Sequence, residues 1–293
     1  MVLWASAFVV IRAVGDSFAP GSLALGRLLV GALVLTAIVL TRPIRIPRGR
    51  TLALITAYGA LWFGVYTVVV NATAQYLDAG TTALLVNVAP LLIAVLAGLF
   101  LGEGFPRALV LGLLIAFAGI VAITAATSTG AYDLAGVALG LLAAVLYAVG
   151  VLLQKRALPG TDAMTATWLG CVIGAVVCLP FLPGLIEQAL SAPRSATLGV
   201  VYLGVFPTAL AFSTWAYALT HTSAGRLSAS SYLVPAIAVF LSWLFLNETP
   251  AALALLGGVL CLVGVGVTRL PSRAPSPRNP RGRRGSHQDP PLT

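Results

Sequence analysis

One charged and kinked signature occurs twice in this chain, 145 residues apart, each time inside an otherwise apolar stretch. The first copy reads Leu85-Val86-Asn87-Val88-Ala89-Pro90, runs on to Phe100 and ends at Glu103. The second reads Ser230-Ser231-Tyr232-Leu233-Val234-Pro235, runs on to Phe245 and ends at Glu248. Gly112 and Gly119 pair with Gly257 and Gly264 at the same offset, and Ala79-Gly80 pairs with Ala224-Gly225. A register that holds without a slip over such a span marks a duplicated unit. Duplicated apolar units with proline-interrupted helices point to a transporter whose site lies between the halves.

A mean hydropathy of +1.00, with 59% hydrophobic and 9% charged residues, excludes an ordinary water-soluble domain of 293 residues. The net charge of +9 does not point to nucleic acid, because six of the 17 Lys and Arg lie from Arg269 onward and four between Arg42 and Arg50. No basic face with interleaved aromatics forms, so no nucleic acid partner is expected. Cys171, Cys178 and Cys261 all sit in apolar runs without His or carboxylate neighbours, which reads as packing or lipid-facing residues and not as a metal site.

Apolar runs between charges and turn residues give ten expected spans. They cover residues 2–15, 20–41, 51–73, 80–101, 107–125, 133–154, 163–183, 196–219, 224–246 and 250–269. With the N-terminus inside, fourteen Lys and Arg fall on the cytoplasmic side and only Arg12 and Arg194 outside, with Arg27 within a span. Both termini are therefore expected in the cytoplasm. Five spans per copy force the second copy to run opposite to the first, with Glu103 near the inner surface and Glu248 near the outer. The expected fold is all-α integral membrane, ten transmembrane helices in two inverted five-helix repeats, 1–126 and 127–270. Residues 271–293, rich in Pro, Arg, Ser and Gly, read as a disordered basic cytoplasmic tail able to touch anionic lipid headgroups. The first span is too short to cross roughly 30 Å of hydrocarbon, so a start upstream of Met1, or a truncated copy, is expected.

Trp4-Ala5-Ser6-Ala7-Phe8-Val9 followed by Arg12 resembles the W-[GA]-S-x-F opening of EamA-type members of the drug/metabolite transporter superfamily. The Pro-to-Glu stretch closing the fourth and ninth spans resembles the same family's repeat signature, and the match runs from Trp4 to about Arg269. The resemblance implies ten helices in two inverted repeats, a central cavity, and export or exchange of small metabolites. It implies neither enzyme chemistry nor a cofactor. Ala5 stands where the family's motif commonly has glycine.

Pro90 and Pro235 remove a backbone donor within a span and so mark either a kink that shapes the cavity or a static bend repaired by neighbours. Arg27 lies roughly 10 Å below the outer end of the second span. A lipid-facing guanidinium costs about 2.5 kcal/mol or more near the bilayer centre, so Arg27 faces a cavity, where it can hold a carboxylate, or snorkels outward. Tyr58, Trp62 and Tyr66 recur at helical spacing and read as one stripe on the third span. The residues selected for a solute cavity are Trp4, Arg27, Tyr66, Asn71, Asn87, Tyr147 and Trp215. Trp4 aligns with Tyr147, and Arg12 with Lys155, if the offset shortens to 143. Glu103 and Glu248 read either as gating or coupling carboxylates or as structural pairs with loop groups at helix ends. Gly112, Gly119, Gly257 and Gly264 allow close helix contact, which permits a homodimer without requiring one.

A membrane enzyme would need a nucleophile, metal ligands or paired carboxylates at depth; His221 and His287 have no partners in motif spacing. A channel would need a repeated filter or charged ring. An integral-membrane enzyme or a non-transporting membrane scaffold stays open as the alternative. The reading that results is a transporter exporting small amphipathic metabolites, such as amino acids or related compounds, by alternating access. One lysine against sixteen arginines points to a GC-rich bacterial genome and an inner-membrane location.

Overall fold

The glycines of the repeat register meet each other. A β-carbon on Gly112 would stand 2.5 Å from the Gly264 carbonyl oxygen, and one on Gly119 would stand 2.6 Å from that of Gly257. The reverse approaches, Gly264 to Gly112 at 2.6 Å and Gly257 to Gly119 at 2.5 Å, match them. These residues lie on α7 (Arg107–Thr127) and α14 (Ala252–Thr268). The order 112–119 against 264–257 makes the pair antiparallel, and only residues without side chains let the backbones come so close.

The computed structural model describes residues 1–77, 79–127, 133–237, 240 and 252–270, and every regular element among them is helical. Among the described residues, five helices are apolar and long enough to cross a membrane: Pro20–Val39, Gly49–Thr73, Arg107–Ala126, Leu134–Gly160 and Arg194–His221. Leu84–Phe100 and Leu255–Thr268 are shorter apolar helices. The first helix, α1 (Val2–Val14), is followed by α2 (Pro20–Val39), which opens on a proline whose missing N–H has no partner to lose there. Asp133 accepts from the backbone N–H groups of Ala135 and Gly136 at 2.7 and 3.3 Å and so caps α8 (Leu134–Ala157). Asp162 accepts from Thr165 N at 3.0 Å and caps α9 (Ala163–Val177).

The expected straight span over 163–183 is instead bent by 52° where α9 gives way to residues 179–191. Pro180 and Pro183 cannot continue the i→i−4 ladder, and the chain leaves as a separate helix, α10 (Leu182–Ser191). The proline interruptions fall a few residues before the prolines. Asn87 and Val88 form a turn between α5 (Ala79–Val86) and α6 (Ala89–Phe100), so Pro90 sits in the first turn of α6. In the second copy a 3₁₀ turn, Ser230–Tyr232, follows α13 (Ala224–Ala229) and precedes Pro235. Proline clashes with the turn on its N-terminal side, so the distortion belongs there.

The long helices 49–76 and 194–221 each contain a wide π turn. The first consists of α3 (Gly49–Tyr58), a π segment Gly59–Val65 and α4 (Tyr66–Tyr76). The second consists of α11 (Arg194–Leu203), a π segment Gly204–Leu210 and α12 (Ala211–His221). Both ends of the π segments obey the 145-residue offset. Each is clasped by a glycine-bearing helix from the other half of the chain. Gly170 of α9 packs on Gly59, and Gly174 on Phe63. Gly31 of α2 faces the other: a β-carbon there would stand 3.2 Å from the Gly204 carbonyl oxygen and 2.9 Å from the Thr208 methyl.

Candidate solute site

Where these helices converge, the aromatic side chains of both halves form one cluster. Trp62, on the first π segment, stacks on Tyr147 of α8 with ring centroids 5.2 Å apart and planes 18° from parallel. Phe212 of α12 stands edge-on to Trp62 at 5.1 Å. Trp4 of α1 lies 5.2 Å from Trp215 and 5.3 Å from Phe212. Tyr66 joins at the edge, 5.8 Å from Tyr147. Trp62, Tyr147 and Trp215 are buried. The cluster thus draws on α1, α4, α8, α12 and a π segment. The Trp215 Nε1 group is buried and has no hydrogen-bond acceptor among the described residues. A cavity of about 150 Å³ adjoins it, lined by Trp4, Thr214, Trp215 and Leu227, among others.

The polar edge of the cluster is built on the second π segment. Trp4 Nε1 donates to the Pro207 carbonyl at 3.1 Å. Arg27 of α2, half-buried, donates from Nε to Thr208 Oγ1 at 3.1 Å, and Tyr66 is its electrostatic neighbour. The helices 20–39, 49–76 and 163–177 contain no Asp or Glu. A guanidinium so placed suits an anionic group of a solute. Ser6 and Tyr202 share a hydrogen bond of 2.7 Å that joins α1 to α11.

Trp4, Arg27, Tyr66, Tyr147 and Trp215, chosen from sequence, are thereby brought together. Asn71 is not among them: its Nδ2 donates to the Pro20 carbonyl at 3.1 Å and ties α4 to the start of α2. Asn87 occupies the turn before α6, half-buried. Pro90 and Pro235 are buried at their helix interruptions. Glu103 lies away from the cluster. Its two oxygens accept from Ala224 N at 2.6 Å and Gly225 N at 3.1 Å, the first turn of α13. Gly102 and Gly104, with φ of +69° and +67°, give the loop the left-handed turns that aim this carboxylate. Nearby, Arg156 Nη2 donates to the Phe100 carbonyl at 2.8 Å, and Lys155 Nζ to those of Leu219 and Thr222. A recess of about 370 Å³ beside Glu103 is lined by His221, Ser223 and Arg226. Glu248 falls outside the described residues. The thiols of Cys171, Cys178 and Cys261 are buried at helix contacts.

Trp62, Phe212 and Thr208 matter more than their sequence positions announced. The expected stripe is broken: Trp62 and Tyr66 meet Tyr147, whereas the Tyr58 hydroxyl donates to the Ala166 carbonyl of α9. The π segment begins directly after Tyr58, and the Tyr58 ring lies 6.1 Å from that of Phe63, five residues on.

The model of the EamA-like transporter family matches residues 1–125 and again 134–270. The chain belongs to the EamA-like transporter family. It is a multi-pass membrane protein of a transporter family. It is 35% identical over 265 residues to the "Probable terminal-alkyne amino-acid exporter" of Streptantibioticus cattleyicolor, covering 90% of this chain and 89% of that protein. An uncharacterized transporter of Bacillus subtilis is 35% identical over 92% of this chain and 88% of its own length. The "Probable amino-acid metabolite efflux pump" of Salmonella typhimurium is 25% identical, covering 90% of each chain. A crystal structure matches with a TM-score of 0.75 at 21% identity, over 92% of this chain and 94% of that one, and shares the fold.

Proposed function

We propose that this EamA-family protein exports small amphipathic carboxylates, amino acids or close relatives, by alternating access across a bacterial inner membrane. The observation that carries the reading is the aromatic cluster assembled from both halves, with the Arg27 guanidinium at its edge. An apolar side chain stacks among Trp62, Tyr147, Phe212 and Trp215, while Arg27 takes the carboxylate. A relative named a probable terminal-alkyne amino-acid exporter and another named a probable amino-acid metabolite efflux pump support this solute class.

The architecture belonging to this reading is ten helices in two inverted repeats, 1–126 and 127–270, with residues 271–293 as a basic tail and both termini cytoplasmic. Its support is reciprocal contact. Gly112 touches the repeat mate of Gly119, and Gly119 the mate of Gly112, as a twofold axis between antiparallel copies requires. Two matched π segments, each held by the other half, supply paired bending points for the halves. Glu103 belongs to the gate: it holds a loop of the first half against α13 of the second.

Solute flux in proteoliposomes tests the proposal, with a mixed amino-acid pool analysed by mass spectrometry, with and without a pH gradient. Saturable movement of carboxylate-bearing solutes, lost in Arg27→Leu protein that inserts normally, is the expected result. Unchanged flux in that variant removes the carboxylate role. No flux from folded protein favours a membrane scaffold or enzyme.

A further inference from the structure

We propose that Thr208 is a positioning residue for solute recognition: its hydroxyl orients the Arg27 guanidinium and couples it to the second π segment. The inference rests on Arg27 as the carboxylate anchor.

In an uninterrupted α-helix the N–H of residue 207 would bond the carbonyl of Leu203, but residue 207 is proline and has no N–H. In the π segment that opens after Leu203 the ladder runs from residue i to i−5, and Thr208 Oγ1 adds its own bond to the Leu203 carbonyl at 2.8 Å. A hydroxyl has a single proton, so this bond leaves Oγ1 only lone pairs, and one of them accepts Arg27 Nε at 3.1 Å. Both directions are therefore fixed. Thr208 is 1% exposed, so water does not compete for either bond. With Nε committed, the two Nη groups form the remaining edge of the fork, the one that grips a carboxylate with two parallel bonds.

The neighbouring contacts make the arrangement stiff. Gly31, one turn from Arg27 on α2, lies against the Thr208 methyl and the Gly204 carbonyl. Trp4 Nε1 holds the adjacent Pro207 carbonyl. A change in the π segment therefore moves Thr208, and Thr208 moves Arg27.

The other half provides an internal control. At the 145-residue offset Pro207 and Thr208 correspond to Trp62 and Phe63, and Gly59–Val65 adopts the same π turn with neither a proline nor a hydroxyl there. The π turn thus forms without such a bond. The Pro–Thr–Arg chain is an addition confined to the half that faces Arg27.

The test is uptake into proteoliposomes of two probes that differ only at the carboxyl group, L-leucine and L-leucinamide. Thr208→Val keeps the shape and removes both bonds, whereas Thr208→Ser keeps the hydroxyl. Thr208→Val is expected to raise KM for leucine roughly tenfold, the worth of a hydrogen bond to a charged group, with leucinamide changed by less than about twofold. Thr208→Ser should restore leucine uptake. Equal rises in both KM values, a fall in kcat alone, or no rescue by serine would overturn the inference. Should the valine variant not insert, Arg27→Lys asks the same question, since an ammonium cannot bond Thr208 and present a fork together; leucine KM as in the unaltered protein overturns it. Arg27→Gln separates the two layers. An unchanged leucine-to-leucinamide preference in that variant removes the anchor and this inference together. A lost preference there, with Thr208→Val unaffected, removes this inference alone. No saturable uptake of either probe by inserted protein overturns both.

Discussion

Gly150 is where the aromatic cluster depends on the absence of a side chain. It lies one turn beyond Tyr147 on α8, on the same face, and a β-carbon there would stand 2.6 Å from Trp62 Cβ and 2.9 Å from its Cγ. Trp62 can lie flat on Tyr147 only because that space is empty. In Gly150→Ala either α8 or the first π segment must shift. Overpacking of this kind costs about 1–3 kcal/mol. The gain in helix propensity, about 1 kcal/mol, offsets only part of it. The expected outcome is a lower thermal unfolding midpoint together with altered tryptophan fluorescence, because the Trp62 environment changes. An unaltered spectrum and midpoint would mean that the slot has room to spare. The comparable substitution at Gly266, with nothing within 4 Å of its missing β-carbon, is the control and should be neutral or stabilising.

Helix α7 and its partner α14 show what single elements owe to their sequence. Gly119→Ala places a methyl 2.6 Å from the Gly257 carbonyl and 2.8 Å from Cys261 N, both backbone atoms that cannot swing aside. A destabilisation of about 1–3 kcal/mol is expected in detergent-solubilised protein. Adding Gly112→Ala should cost less than the sum, since the first change already parts the helices. These glycines were readable in the sequence because they repeat at fixed spacing and have one physical use in an apolar helix. The π segments were not. Gly59 and Gly204 obey the same register, yet nothing in GALWFGV marks a wider turn, and Pro207 in GVFPTAL marks a break in the ladder without saying that a π turn repairs it. The bend at Cys178–Phe181 was hidden for another reason: apolar character continues through it, although Pro180 and Pro183 stop the ladder. Arg27, Trp4, Tyr147 and Trp215 could be chosen as rare polar or aromatic groups in lipid-length runs. Thr208 could not, because its role needs Leu203, Pro207 and Arg27 in place. Helix caps, by contrast, are local. Partial burial raises the Asp162 carboxyl, but the hydrogen bonds from Thr165, reinforced by the Met164 and Asp162 backbone, outweigh it and hold it below its ordinary value. Its capping stability is present above the unfolded value near 3.9 and is lost as pH falls through the lower folded one. Asp162→Ala should therefore cost about 1 kcal/mol at neutral pH, with the difference vanishing in acid.

At the scale of the whole molecule, the halves are joined at one end of the bundle by groups that satisfy helix termini. Glu103 occupies the first two N–H groups of α13, where the helix dipole favours a negative charge, and Arg156 covers the last carbonyl of α6. Alternating access requires such contacts to break in one of two states. Glu103→Gln keeps the size but removes the charge, and its amide nitrogen cannot accept from Gly225 N. Losing one charge-assisted hydrogen bond and weakening the other removes about 1.5–3 kcal/mol from the closed arrangement, a shift of roughly tenfold to hundredfold between states. Ser223, which lines the recess beside Glu103, is a suitable reporter once replaced by cysteine. The three native thiols are buried and contribute little background. Labelling of Ser223→Cys by a membrane-impermeant maleimide should accelerate when Glu103→Gln is added, and return toward the slow rate with Glu103→Asp if the shorter carboxylate reaches either N–H. Equal labelling rates with and without the Glu103→Gln change would make the contact a passive cap that persists in both states, and the gate would then lie in the helix contacts themselves.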